Sequence, residues 1–129
     1  KPADIQKELA KAQRYYSKSF SQGTAVQDGT GAPWSTMSVA DATSNVYAGT
    51  IFFPVTMRSA PTTTPYRGGD GASAGKWSYY GGGGWVDWST TSFVQVLQNC
   101  MSPAGTTGAL ATTASYLCEG HWTANARLS

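Results

Sequence analysis

Apolar residues recur every three to four positions only at the start of the chain. Within KPADIQKELAKAQRYYSKSF, Ile5, Leu9, Ala12 and Tyr16 follow spacings of four, three and four, and Lys7, Lys11, Arg14 and Lys18 keep the same rhythm on the opposite side. The spacing predicts an amphipathic helix over residues 1–20, with one face buried and the other in water. It also fits the seam of a coiled coil, although about two heptads is shorter than such a seam ordinarily runs. Beyond residue 20 the period shortens. SQGTAVQDGTGAPW is dominated by turn formers. Ser35 to Ala40 predicts a short strand and Val46 to Phe53 a stronger one. In the latter, Ala48, Thr50 and Phe52 fall on one face and Tyr47, Gly49, Ile51 and Phe53 on the other, with Pro54 as the stop. Extended chain continues to Tyr66, and two glycine-rich stretches, RGGDGASAG and GGGG, bracket the aromatic strand KWSYY. WVDWSTTSFVQVLQN reads as two strands, the second alternating Phe93, Gln95 and Leu97 against Val94, Val96 and Gln98, so that either face fits a core. SPAGTTGALATTA reads as a connection. SYLCEGHWTANARL reads as a long closing strand with Tyr116, Cys118, Gly120 and Trp122 on one side. Together these predict a mainly β fold: an N-terminal amphipathic helix over residues 1–20, then an antiparallel β-sandwich of about five to seven strands over residues 21–129.

Composition narrows the surface chemistry. Charged residues make up 12% of the 129, against about 25% in ordinary soluble domains, so the polar surface falls to Ser, Thr, Gly, Asn and Gln. Of nine Lys and Arg residues, five lie within the first 18, which leaves the β-region nearly balanced and without the basic surface that a phosphate backbone requires. No nucleic-acid partner is expected. Nor is membrane insertion, because no run of about 18 apolar residues occurs. The two cysteines, Cys100 and Cys118, lack metal-ligand spacing and are too few for a disulfide framework. They are expected near the ends of neighbouring strands as reduced, buried thiols, with a late-forming disulfide as the alternative.

Candidate chemistry is concentrated in one stretch. His121, the one histidine, lies on a predicted strand with Glu119, but a lone strand histidine is more often a satisfied core or surface group, and no nucleophile-elbow sequence accompanies it. Asp41, Asp70, Asp87 and Glu119 are scattered, with no pair that suits glycoside hydrolysis. No catalytic residue, metal ligand or cofactor is assigned. By contrast Trp77, Tyr79, Tyr80, Trp85 and Trp88 crowd into twelve residues beside glycines that permit close approach. Aromatic rings stack on the apolar faces of sugars while neighbouring polar groups bond the hydroxyls. The alternative is that these rings fill the core or a subunit interface. The candidate glycan site lies on the loops from Arg67 to Trp88. Trp77, Tyr80, Trp85 and Trp88 are its stacking residues, Asp70 and Asp87 its hydroxyl acceptors, and Arg67 its donor to an acidic sugar.

Three segments carry a family resemblance. ELAKAQRYYSKSF, FFPVTMRSAPT and the terminal HWTANARL are similar in wording and order to the C-terminal region of bacteriophage tail fibre and related virion proteins. The matching positions are Glu8, Leu9, Gln13, Arg14, Tyr15 and Tyr16, then Pro54, Val55, Met57, Arg58, Pro61 and Thr62. Residues 64–92 match nothing comparable, and Ala12 stands where the family often has Cys. The resemblance implies a receptor-binding tip domain at the end of a longer chain. It also implies a homotrimer with the residue 1–20 helix at its axis and Ile5, Leu9, Ala12 and Tyr16 as an oligomer or core seam. The expected partners are other tail fibre segments and a bacterial surface polysaccharide or lipopolysaccharide, and the expected location is the virion. A module that only holds the fibre chains together is the alternative function.

Overall fold

The computed structural model describes residues 4–20, 34–41, 45–68, 75–81, 84–106 and 115–127. It is mainly β, with one helix, α1 (Ile5–Gln13), and ten strands: β1 (Tyr16–Lys18), β2 (Trp34–Asp41), β3 (Asn45–Ala48), β4 (Ile51–Phe52), β5 (Thr62–Arg67), β6 (Ser78–Gly81), β7 (Gly84–Asp87), β8 (Thr90–Val94), β9 (Cys100–Thr106) and β10 (Ser115–Asn125). The strand count exceeds the expected five to seven because the Val46–Phe53 run divides in two and two strands form outside the expected ones, β1 within the expected helix and β9 within an expected connection.

Asp4 starts α1 by accepting hydrogen bonds from the Gln6 and Lys7 amides at 3.0 and 3.4 Å. The helix then stops well short of residue 20. Arg14 and Tyr15 donate to the carbonyls three residues back, a tightened last turn, and Tyr16–Lys18 instead pairs antiparallel with Thr123–Asn125 of β10. This takes Tyr16 out of the helix and leaves the other seam residues off the core. Ile5 is 77% exposed, Ala12 is exposed and Leu9 half-buried, and Tyr16 lies in β1. Among the described residues, none of α1 is buried. The reason is that sheet pairing takes over the chain at Tyr16, before the helix has a surface to lie on.

β10 is the spine. Along one edge it pairs with β2 and then β1, and along the other with β6 and then β5. The pairing runs from β10 through β2 and β3 to β9, and from β9 to β8. β8 follows β7 through a bend at Trp88 and Ser89, and β7 returns through β6 to β10. At the bend, the Trp88 amide donates to the Trp77 carbonyl at 2.7 Å and the Ser89 amide to the Thr106 carbonyl at 2.8 Å. The large antiparallel sheet thus folds over and closes on itself, and β4 forms a small second sheet with the start of β9. The result is a β-sandwich joined at both sides.

Its core holds Val46, Ala48, Ile51, Phe53, Met57, Trp77, Trp88, Met101, Cys118, Trp122, Ala124 and Ala126. Trp122 of β10 meets Phe53 across the core at 5.6 Å between ring centres, and Trp77 meets Phe93 at 5.7 Å. Two glycines admit the large rings. A Cβ on Gly120 would overlap the Trp77 indole, and one on Gly105 would overlap Trp88.

Three expected strands differ. The Val46–Phe53 run breaks at Gly49 and Thr50, so Val46 and Ala48 face inward before the break and Ile51 and Phe53 after it. The break shifts the alternation by one position and serves both halves. β8 ends at Val94 because Gln95 takes a left-handed φ of 49°, and so Phe93 and Val96 both pack against the core. β9 replaces an expected connection. Its Pro103 sits between the part paired with β4 and the part paired with β3, where the missing amide leaves the ladder intact. Cys100 and Cys118 lie on β9 and β10, which are not neighbours. Neither is in a disulfide, Cys118 is buried and Cys100 half-buried.

Candidate functional site

The aromatic stretch divides between inside and outside. Trp77 and Trp88 are fully buried, their rings 5.8 Å apart, and Trp77 Nε1 donates to the His121 carbonyl at 3.1 Å. Neither ring stacks on a ligand. They are corrected to core, because the sheet's closure turns both inward beneath Gly120 and Gly105. Asp70 lies outside the described residues. Arg67, Tyr80, Trp85 and Asp87 remain, and the structure brings them together on strands rather than loops.

The pairing of β10, β6 and β7 sets two rows of side chains on one outer face. In the first row Leu117 pairs with Tyr80 and Tyr80 with Trp85. These are 40%, 49% and 46% exposed, and Tyr80 and Trp85 meet edge to face at 5.4 Å. In the second row Glu119 pairs with Ser78 and Ser78 with Asp87. Arg67, the last residue of β5, reaches Asp87 through Nε at 3.2 Å and Nη2 at 2.6 Å. Ser78 Oγ donates to Asp87 Oδ1 at 3.2 Å. A depression of about 490 Å³ is lined by Arg67, Ser78, Trp85, Val86, Asp87 and Glu119. Trp85 belongs to both features: it forms a wall of the depression and continues the exposed apolar row.

The electrostatics are asymmetric. Both Asp87 oxygens are engaged, and its partner Arg67 is half-exposed. The guanidinium is held through Nε and Nη2 by a carboxylate of its own chain, so an acidic sugar would have to share it with Asp87. Glu119 has no hydrogen bond or ion pair among the described residues. Its side chain lies over Gly68, where a Cβ would overlap it, and burial pushes its carboxyl up from the ordinary value.

Ser78, Val86, Leu117 and Glu119 were missed as site residues. The signal for Glu119 was its place on the closing strand, but no spacing in the sequence reveals that β6 lies beside that position and β7 one strand further. His121, on the same strand, is 1% exposed. Its ring stacks on Phe20 at 4.1 Å and its Nδ1 lies 3.0 Å from Ser19 Oγ. It fastens residues 19–20 onto β10 and is shut off from any ligand.

A second depression, of about 550 Å³, is lined by Thr56, Ala60, Leu97, Gln98 and Asn99, with neither an ionisable nor an aromatic group. Among the described residues no group of three or more His, Cys, Asp or Glu is placed to hold a metal ion, and no helix is long and apolar enough to cross a membrane.

Comparison with models of protein families, with characterised proteins and with solved structures found no match for this chain.

Proposed function

We propose that this chain is a receptor-binding domain of the bacteriophage tail fibre type, which holds a bacterial surface glycan on the outer face of β10, β6 and β7. The observation that carries the reading is the exposed Tyr80 and Trp85 pair set flush against a polar depression. A sugar ring has an apolar face and a hydroxyl edge, and the two rows offer a stacking surface and hydrogen-bonding groups in the same order. Asp87, held by Arg67 and Ser78, is a fixed acceptor with both oxygens occupied and a poor candidate for proton transfer. For that reason the reading is binding and not hydrolysis. Single sugar contacts are weak, and useful strength comes from several copies on one particle.

The test is binding of the intact domain to a glycan array and to host cells. Trp85→Ala should weaken binding at least about tenfold, since an exposed aromatic at the centre of a site is where binding energy concentrates. Its melting temperature should move by no more than a few degrees, as expected for an exposed substitution. Loss of binding that only follows loss of fold would sink the reading.

A specific observation also favours the assembly reading, a homotrimer within the virion. α1 presents Ile5, Leu9 and Ala12 along one side with Ile5 77% exposed among the described residues, and three such helices would cover each other. Light scattering on the purified chain decides it. A trimer that Ile5→Asp converts to monomer supports it, and a monomer at all concentrations counts against it.

A further inference from the structure

We infer that the depression selects its sugar by charge, taking a neutral or amino-bearing residue and rejecting one that carries a carboxylate, with Glu119 as the discriminating group. The inference rests on the glycan reading above and names the class of sugar that the same site accepts.

Three observations lead to it. Arg67, the cationic group among the described lining residues, already forms a two-pronged ion pair with Asp87 at 2.6 and 3.2 Å. An incoming carboxylate would have to share the guanidinium with Asp87, whose negative charge stands beside it. Glu119 has no hydrogen bond or ion pair among the described residues, so its charge faces the depression unbalanced. Among the described lining residues the ionised Arg67, Asp87 and Glu119 sum to one net negative charge, and Glu119 is the acid not already committed to a partner there. Finally, Gly68 gives Glu119 its position. The carboxyl-bearing chain lies against the bare backbone there, which orients the acid before a ligand arrives. A partly exposed charge contact of this kind is modest, so the selectivity is a preference of several-fold per site. Many copies acting together make it steeper.

The experiment uses the intact domain and three soluble probes of similar length: an oligomer of glucosamine, the same oligomer N-acetylated, and an oligomer of galacturonic acid. Binding is measured at neutral pH for the native chain, Glu119→Gln and Trp85→Ala. The native chain should bind the amine and the N-acetylated forms at least about fivefold more tightly than the acid. Glu119→Gln should narrow that gap from both ends, weakening the amine and strengthening the acid, while melting no lower than the native chain. Tightest binding to the acidic oligomer, lost in Trp85→Ala, overturns the charge inference and leaves the glycan reading intact. So does a preference that Glu119→Gln leaves unchanged. If no probe binds, or if binding is indifferent to Trp85→Ala, the glycan reading fails and the inference falls with it.

Discussion

Two tryptophans at the centre of the molecule differ in one atom's fate. Trp77 Nε1 has the His121 carbonyl as acceptor, whereas Trp88 Nε1 is buried with no hydrogen-bond partner among the described residues. Replacement by Phe removes a similar volume at both sites, so the difference between the variants isolates the N–H. Trp77→Phe should be less stable than Trp88→Phe by about 1 kcal/mol or more, measured by denaturant unfolding, because one change removes a hydrogen bond and the other relieves an unsatisfied donor. At Gly120 the constraint is space. Gly120→Ala sets a methyl group into the Trp77 ring and should cost about 1–3 kcal/mol as overpacking. Glu119 links the site to pH. Burial raises its carboxyl in the folded chain, so the folded state holds that proton more tightly than the unfolded state. The stability this contributes is complete below the ordinary Glu value of about 4.3 and is lost as pH rises through the raised value. Glu119→Gln should therefore lose less melting temperature than the native chain between about pH 4 and neutrality. At this scale the sequence showed which residue types gather between Arg67 and Trp88. Which rings point outward depends on a strand bend and on glycines at 105 and 120, both far along the chain from the rings they accommodate.

Elements were legible where one alternation runs unbroken. β10 was readable from its alternation because its inward positions, Cys118, Trp122 and Ala124, keep period two for its whole length. The helix was readable at its start, where Asp4 caps it, and not at its end. Tyr16–Lys18 continues the helical period in sequence, yet the unpaired edge of β10 at residues 123–125 captures it. β3 and β4 hide their break because a one-position shift leaves two short alternations that look like one long run. α1 offers a direct check of its isolation. In dilute solution Leu9→Ala should cost well under the 2–5 kcal/mol of a core leucine, and Asp4→Ala about 1 kcal/mol locally through loss of the cap. A core-sized loss at Leu9 that grows with protein concentration would place the missing cover in a second copy.

Across the whole molecule, three segments far apart in sequence, around residues 14–16, 58 and 126–127, meet at one place. The Arg58 amide donates to the Arg14 carbonyl at 2.9 Å and the Ala126 amide to the Tyr15 carbonyl at 2.8 Å. Arg58 lies over the Tyr15 ring and Arg127 over Tyr16. These segments form a framework joint, away from the face that carries Tyr80 and Trp85. The division was not visible in the sequence, where residues 14, 58 and 126 have no local reason to be neighbours. Residues 78–87 are attached to this joint through β10.

β10 also acts as a tie rod. β1 grips it at residues 123–125, and Glu119, on the same strand, lines the depression. A pull entering through α1 and resisted by a captured surface would pass along this one strand. Because β1 and β10 run antiparallel, with Tyr16 opposite Asn125, the pull would draw the two past one another lengthwise. Their bonds would then share the load at once and would not open singly like a zipper. A domain anchored in this way should let go of its ligand before it tears. Force spectroscopy through the N-terminal end against an immobilised glycan should record clean detachment, with rupture of the fold appearing only at higher force.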